Sequence, residues 1–162
     1  MDFNMPGPNK RVCAYFIDAI IITAIGIVVS LMFSMNLYWI IYVLLILFKD
    51  SFNGQSFGKY LVGTQIVDEN NSPASISKAA IRNIFMAIPF FPIIEYFVML
   101  NDKQEGRRIG DRVVKTRVND LKPELKDSIF LLISLVLVVI YVAVVLGYTY
   151  TLIKLDPSLI KQ

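Results

Sequence analysis

The sequence contains no histidine and only one cysteine among its 162 residues. The absence of histidine removes the commonest general base, proton carrier and zinc ligand found in proteins. It also excludes the Ser-His and Cys-His pairs used in nucleophilic catalysis. Because Cys13 has no second cysteine in the chain, an internal disulfide is excluded as well. We therefore predict that the protein is not an enzyme and has no metal centre and no cofactor.

Charged residues are also scarce, at 18% of the chain, whereas 56% of the residues are hydrophobic. A soluble domain has about 25% charged residues. The mean hydropathy of +0.59 shows the same imbalance and indicates an integral membrane protein. Because the net charge of +3 is modest, the expected partner is the lipid bilayer, and nucleic-acid binding is not expected.

Three apolar runs are candidates for membrane-spanning helices: residues 10–33, 37–48 and 128–153. A helix needs about 20 apolar residues to cross the hydrocarbon core of a bilayer. The short turn between the first two runs predicts an antiparallel hairpin, and the third run is free of charge, as in a plain anchor. We expect a membrane domain of residues 10–119, followed by a C-terminal transmembrane anchor in residues 120–162.

A further apolar stretch, residues 85–100, contains Pro89 and Pro92 near its middle. Proline interrupts helical hydrogen bonding, so this stretch predicts a broken helix. It is either a kinked span or a re-entrant hairpin whose two ends emerge on the same side. The loops before and after it are both basic, and basic loops mark the cytoplasmic face. A single crossing would place one basic loop outside, which favours the re-entrant hairpin and a cytoplasmic N-terminus.

Two short segments outside the apolar runs alternate as β-strands do: residues 64–67, TQIV, and residues 112–118, RVVKTRV. Paired, they would form a cytoplasmic ribbon that needs packing against helices to be stable. Between them, Ser75 is the expected N-cap of an interfacial helix that contains Arg82 and Asn83. The predicted fold is an all-α membrane protein with three transmembrane helices, a proline-broken re-entrant helical hairpin and a small cytoplasmic β-ribbon.

Asp18 is the strongest candidate for a functional residue, because a carboxylate within a membrane span is costly and usually has a role. Arg11, Tyr15 and Asp18 fall on nearly the same face of the first helix. Arg11 is expected to point toward the nearer membrane surface, so Asp18 needs a partner elsewhere. The second helix returns Asp50 to the level of Arg11, which predicts an Arg11–Asp50 contact. The alternative role of Asp18 is structural, in fixing the packing of the helices.

Glu95 and Asp111 are further candidates. Glu95 follows the second proline of the broken helix, where unwound backbone can line a cavity, as in transporters. Its alternative position is at the membrane interface, near one end of a short helix. Asp111, with Arg108 and Arg112, is expected either to form a gate-like ion pair near Arg11 or to belong to a solvated loop network.

These residues together resemble the RDD family of small membrane proteins, named for one arginine and two aspartates. The resemblance covers residues 10–119 and begins with R-x-x-A-x-x-x-D, which contains Arg11 and Asp18. The GQSFGKYLVG run and the later IRN are similar to the glycine-rich loop of the family and the helix that follows it. RRIGDRVVKTRV is similar to the closing element, which makes Asp111 the second aspartate and Asp50 the alternative.

The resemblance implies a function as well as a fold. Some members of the family resemble cation/proton antiporters, so we expect proton-coupled movement of a monovalent cation. Asp18 would carry the proton or cation, Glu95 would be a second ligand, and Arg11 would tune the ionisation of Asp18. Many relatives are expected to have histidine where Gly110 stands, so a role that needs that imidazole is not expected here.

The expected setting is the cell membrane. With three spans per chain, transport would need a homo-oligomer. The alternative, from a different class, is a non-transporting accessory or scaffold protein that docks a partner through its basic cytoplasmic loop.

Overall fold

The structure is a computed structural model that describes residues 4–32, 35–88, 91–102 and 106–155. Within these residues the chain is mainly helical and has one small sheet. The elements in chain order are α1 (Pro8–Met32), α2 (Met35–Phe48), α3 (Phe57–Val62), β1 (Thr64–Asp68), α4 (Ile76–Asn83), a 3-10 helix (Ile84–Ala87), α5 (Phe91–Asn101), α6 (Ile109–Val113), β2 (Thr116–Asp120) and α7 (Asp127–Leu155).

The first two helices form the antiparallel hairpin that the sequence predicts. Ile22 of α1 packs against Ile46 of α2. Asp18 lies about one turn before Ile22 in α1, and Lys49 lies about one turn after Ile46, just past the end of α2. These two side chains form an ion pair. The hairpin thus returns the chain to the polar end of α1.

The long apolar helix predicted for residues 128–153 is α7, which packs along α1. The side chain of Asp127 accepts hydrogen bonds from the Lys10 backbone N–H at 2.9 Å and from the Asn9 side chain at 2.8 Å. It therefore caps the start of α1, where a negative charge also favours the helix dipole. Because Asp127 is the first residue of α7, the two longest helices begin side by side at the same end of the molecule.

Two described helices are long and apolar enough to cross a membrane, in the ranges Pro8–Val29 and Asp127–Thr151. A helix pair, Ile76–Ala87 and Phe91–Asn101, is apolar enough when taken together and is bent by 115°. The bend lies where the sequence predicts a broken helix. Pro92 occupies the first turn of α5, where a missing N–H costs no helical hydrogen bond, and Pro89 lies outside the described residues.

The two predicted strands pair as an antiparallel ribbon, with Ile66 opposite Val118. The predicted start of the second strand at Arg112 is wrong, because α6 continues to Val113 and β2 begins only at Thr116. Between α6 and β2, Lys115 has φ = +52°, so its left-handed turn separates helix from strand. The ribbon contacts α3 through β1 and α6 through β2, and Asp120 at the end of β2 pairs with Lys10 of α1 at 2.6 Å.

Helix α4 begins as predicted, because Ser75 accepts a hydrogen bond from the Lys78 backbone N–H. Its orientation is the reverse of that of an ordinary surface helix. Arg82 and Asn83 are completely buried, whereas Ile76 is 58% exposed. In a bilayer, apolar side chains can face lipid while polar ones find partners inside the protein. The polar face of α4 therefore points to the interior of the molecule.

Candidate functional site

The buried polar side chains of the helices converge on one region, which we call the polar cluster. It contains four carboxylates, four cations and one amide, contributed by α1, α3, α4, α5, α6 and the loops after α2 and before α6: Asp18, Lys49, Asp50, Lys59, Arg82, Asn83, Glu95, Arg108 and Asp111. Burying so many charges is tolerated only when each one is paired and hydrogen-bonded. Each carboxylate of the polar cluster has a cationic partner.

Asp18 finds its partners outside α1, as the sequence predicts. It is 4% exposed, and its Oδ1 atom accepts a hydrogen bond of 2.7 Å from the backbone N–H of Gly58 in α3. Its Oδ2 atom lies 3.2 Å from the Lys49 ammonium. That ammonium also lies over the ring of Tyr15, 5.7 Å from the ring centre. The Asp18 carboxylate is thus held by one ammonium and one backbone amide.

Asp50 is completely buried and forms the second node of the polar cluster. Its Oδ1 atom pairs with the Lys59 ammonium, and its Oδ2 atom accepts a 2.9 Å hydrogen bond from the Asn83 amide. Burial raises the pKa of Asp50, but the cations around it outweigh burial and hold the pKa well below its ordinary range. Burial lowers the pKa of Lys59 to about 8, against the opposing charge of Asp50.

Asp111 and Glu95 form the third node with two arginines. The Oδ1 atom of Asp111 lies 2.9 Å from Nε of Arg82, and its Oδ2 atom accepts a hydrogen bond from the Arg108 backbone N–H at 3.2 Å. The Oε1 atom of Glu95 accepts a hydrogen bond from the Gly110 backbone N–H, and its Oε2 atom lies 3.5 Å from the Arg108 guanidinium. Burial raises the pKa of Asp111, but the adjacent guanidinium groups outweigh it and lower the pKa overall.

Two expectations about this node are wrong. Asp111 is completely buried and pairs with Arg108, so it does not belong to a solvated loop network. Arg112 does not join Asp111. Its side chain is half exposed and pairs instead with Asp102 at 3.3 Å, because neighbouring residues on a helix point in different directions.

The predicted contact between Arg11 and Asp50 is also wrong. Arg11 donates a hydrogen bond to the backbone carbonyl of Gly106, in the loop before α6. Asp50 is surrounded by Lys59, Asn83 and Arg82. Arg11 therefore ties the entrance of α1 to the loop before α6, at the edge of the polar cluster.

Two glycines allow the helices to approach closely enough to build these contacts. A Cβ atom added at Gly58 would lie 2.2 Å from the Ala14 carbonyl oxygen and 2.8 Å from Oδ1 of Asp18. A Cβ atom added at Gly110 would lie 2.3 Å from the Arg82 carbonyl oxygen. The backbone N–H of Gly58 also donates a hydrogen bond to Asp18, and that of Gly110 donates one to Glu95. Each glycine therefore allows the close approach and also provides a hydrogen-bond donor.

Sequence reasoning did not select three cations of the site as partners of the buried carboxylates: Lys49, Lys59 and Arg82. It did place Arg108 with Asp111. The basic residues were attributed to positive-inside bias, which is the common explanation. One signal for Arg82 was present in the sequence, since it lies on a helix whose other face is apolar. A helix that dips toward a bilayer turns its polar face away from lipid.

Two cavities border Asp18. The large cavity has a volume of about 530 Å³ and lies between α1, α5 and α7. The small cavity, of about 30 Å³, lies between α1 and α2 and is bordered by the oxygen-bearing side chains of Tyr15, Thr23 and Tyr42. Among the described residues no group of three or more acidic or cysteine side chains is placed to hold a metal ion.

The apolar helices and the buried ion pairs define a small helical membrane protein. The RDD family matches residues 27–115, more than half of the chain, and the protein belongs to this family. The matched region includes Asp50, Arg82, Glu95 and Asp111, whereas Asp18 precedes it. No match was found among curated proteins or among solved structures.

Proposed function

We propose that this RDD-family protein takes part in proton-coupled transport of a monovalent cation, with Asp18 as the exchange site. The observation that carries the proposal is that Asp18 lies within a membrane-length helix, buried, with the Lys49 ammonium 3.2 Å away as its cationic partner. Intramembrane carboxylates with a named partner are frequent sites of ion and proton movement.

In the proposed exchange, a proton and a free monovalent cation bind in turn to the Asp18 carboxylate. Binding of one releases the other, so movement of the cation is coupled to movement of the proton. The Lys49 ammonium, 3.2 Å away, balances the charge of the carboxylate when neither is bound. The Gly58 amide holds Asp18 in place throughout, because its hydrogen bond is directed at the other carboxylate oxygen.

The small cavity supports a cation next to Asp18. Its volume of about 30 Å³ is enough for one ion or one water molecule. The residues that line it include Tyr15, Thr23 and Tyr42, which carry hydroxyl groups, together with Asp18 and Lys49. Oxygen ligands of this kind suit hard monovalent and divalent cations.

We further propose that α1, α2 and α7 cross the membrane and that the bent helix pair is re-entrant. α1 and α7 begin side by side, since Asp127 caps α1. α1 and α2 together return the chain to that same face, where Lys49 and Asp50 lie. A single crossing by the bent pair would put the start of α7 on the opposite face. Both ends of the pair therefore belong on the side of the N-terminus, which we propose is the cytoplasmic side of the cell membrane.

Three membrane-spanning helices are few to enclose an ion pathway past Asp18. We therefore propose that the transporting form is a homo-oligomer. The accessory-protein alternative receives less support from the contacts. In the loop that would dock a partner, Arg108, Arg112 and Arg117 each have a partner within the chain: Glu95, Asp102 and Asn71.

The proposal is tested in liposomes that contain the purified protein and an internal pH-sensitive dye. A sodium or potassium gradient is imposed, and the change in internal pH is recorded. The wild type is expected to give a cation-dependent pH change, which Asp18→Asn abolishes and Lys49→Met reduces strongly. Glu124→Gln, which removes an exposed carboxylate outside the polar cluster, is the matched control and is expected to behave as the wild type.

Folding is checked by circular dichroism and by the elution volume of each variant. The proposal is refuted if the folded wild type shows no cation-dependent response, or if folded Asp18→Asn retains the wild-type response.

A further inference from the structure

Cationic side chains outnumber carboxylates among the residues that line the large cavity. The proposed cation transport does not explain this excess of positive charge. Five cationic side chains are among the residues that line it, and Asp18 is the one lining carboxylate in the described part of the chain. The other three carboxylates of the polar cluster lie behind the cations and do not border the cavity. We call the part of the large cavity that these cations line the cationic end. The five cations are Arg11, Lys49, Lys59, Arg82 and Arg108.

The rest of the large cavity is apolar. One wall is formed by Ile93 and Tyr96 of α5, and the other by Leu131, Leu135 and Val138 of α7. Ile93 and Leu135 are each 57% exposed, so these walls also face the surroundings of the molecule. In a bilayer, such an open apolar cleft is filled by acyl chains. A ligand with an apolar part along the walls and an anionic part at the cationic end would match both surfaces.

Arg82 provides a second, independent indication of an anionic ligand. It is completely buried and borders the large cavity. Its Nε atom lies 2.9 Å from Asp111, but none of its three nitrogens makes a hydrogen bond of good geometry within the described part of the chain. A buried guanidinium with unused donors is costly, and phosphate oxygens are well suited to use those donors.

We propose that the large cavity binds one acidic phospholipid, with the phosphate group at the cationic end and the acyl chains between α5 and α7. Basic pockets between transmembrane helices are known to hold acidic headgroups. A second copy of the chain fits the cleft less well, because an apolar helix would bring no acceptor to the unused donors of Arg82. This site does not depend on ion movement, so it stands or falls separately from the proposed transport.

Lipid binding is tested with the full chain purified in detergent, by native mass spectrometry and by thermal unfolding. Dioleoylphosphatidylglycerol, dioleoylphosphatidylcholine and glycerol phosphate are added in separate titrations. We expect one phosphatidylglycerol molecule per chain, at least tenfold tighter than phosphatidylcholine, and a rise in the unfolding temperature that depends on its concentration. Glycerol phosphate, which has the anionic group without acyl chains, is expected to give neither effect at the same concentration.

Variants of exposed apolar residues locate the site without breaking an ion pair. Leu135→Trp and Ile93→Trp narrow the cleft and are expected to weaken phosphatidylglycerol binding at least fivefold. Leu132→Trp is the matched control, because Leu132 is exposed on α7 but does not line the cavity. It is expected to bind as the wild type does.

At the cationic end, Lys49→Gln is compared with Lys126→Gln, which removes an exposed charge outside the cavity. Only Lys49→Gln is expected to reduce the preference for phosphatidylglycerol. The lipid site is overturned if phosphatidylcholine binds as tightly, if glycerol phosphate alone reproduces the stabilisation, or if Leu132→Trp weakens binding as much as Leu135→Trp. A dimer that forms without bound lipid and is lost in Leu135→Trp would also overturn it, in favour of a second copy in the cleft.

Discussion

Replacing Gly58 by alanine is the sharpest test of how the polar cluster is built. The added Cβ atom would stand 2.2 Å from the Ala14 carbonyl oxygen, where the obstacle is helical backbone that cannot rotate away. The same atom would stand 2.8 Å from Oδ1 of Asp18. Relief of both contacts requires α3 to move away from α1. That movement lengthens the 2.7 Å hydrogen bond from the Gly58 amide to Asp18.

Two terms add to the cost of Gly58→Ala. Overpacking a close contact costs about 1–3 kcal/mol. Loss of a hydrogen bond to a charged buried acceptor costs about 1.5–3 kcal/mol. We therefore expect Gly58→Ala to destabilise the packing of α3 on α1 by about 3 kcal/mol, which corresponds to about a 100-fold change in an opening equilibrium.

The single cysteine of the chain provides the assay. Cys13 is buried in α1, in one apolar cluster with Val62 of α3 and Phe130 of α7. Its thiol reacts with a maleimide fluorophore only when this packing opens, so the labelling rate follows the opening equilibrium. Gly58→Ala is expected to raise the labelling rate in detergent about 100-fold.

Gly147→Ala is the control for this experiment, since no atom lies within 4 Å of a Cβ atom added there. It is expected to leave the labelling rate unchanged or to lower it, because alanine favours a helix by about 0.5–1 kcal/mol over glycine. If Gly58→Ala labels no faster than Gly147→Ala, then α3 does not approach α1 as described, and the account of Asp18 is wrong.

Three further predictions concern other parts of the site, each checked by thermal unfolding in detergent. Gly110→Ala is expected to cost about 1–3 kcal/mol, because its Cβ atom would meet the Arg82 carbonyl oxygen at 2.3 Å; an unchanged unfolding temperature would contradict the contact. Asp50→Asn removes a carboxylate whose pKa is lowered in the folded state, so its stabilisation is present at neutral pH and lost as the pH falls below about 4. The variant is expected to be about 3–5 kcal/mol less stable than the wild type at pH 7 and to approach it at low pH, whereas a constant difference would contradict the lowered pKa. Ser75→Ala removes the cap of α4 and is expected to cost about 1 kcal/mol, and no loss would show that the cap is dispensable.

Much of the fold follows from local features of the sequence. The charge-free run of α7 and the long apolar run of α1 predict membrane-length helices directly, because length and hydropathy decide such segments. The Ser75 cap and the pairing of the two short strands follow from side-chain hydrogen bonding and alternation, whereas their register does not. The end of α6 could not be predicted, since residues 112–118 alternate regularly and only the left-handed turn at Lys115 shows where the helix ends and the strand begins.

The site was less predictable because its partners are distant in sequence. The sequence identifies Asp18 as costly and in need of a partner, but Lys49 and Gly58 emerge only when α2 and α3 fold back on α1. Arg11 and Asp50 were expected at a similar level of the membrane, which led to the wrong contact between them. Level alone does not fix which side of a helix faces its neighbour, and packing decides that.

The account depends on a direct interaction between Asp18 and Lys49, and a double-mutant cycle measures that interaction. Asp18→Asn, Lys49→Met and the double variant are compared with the wild type by thermal unfolding in detergent and by Cys13 labelling. Removing either partner leaves the other charge unpaired, so the double variant is expected to be about 1–3 kcal/mol more stable than the sum of the single changes predicts. Strictly additive changes would contradict the account, because they would mean that Asp18 and Lys49 do not interact.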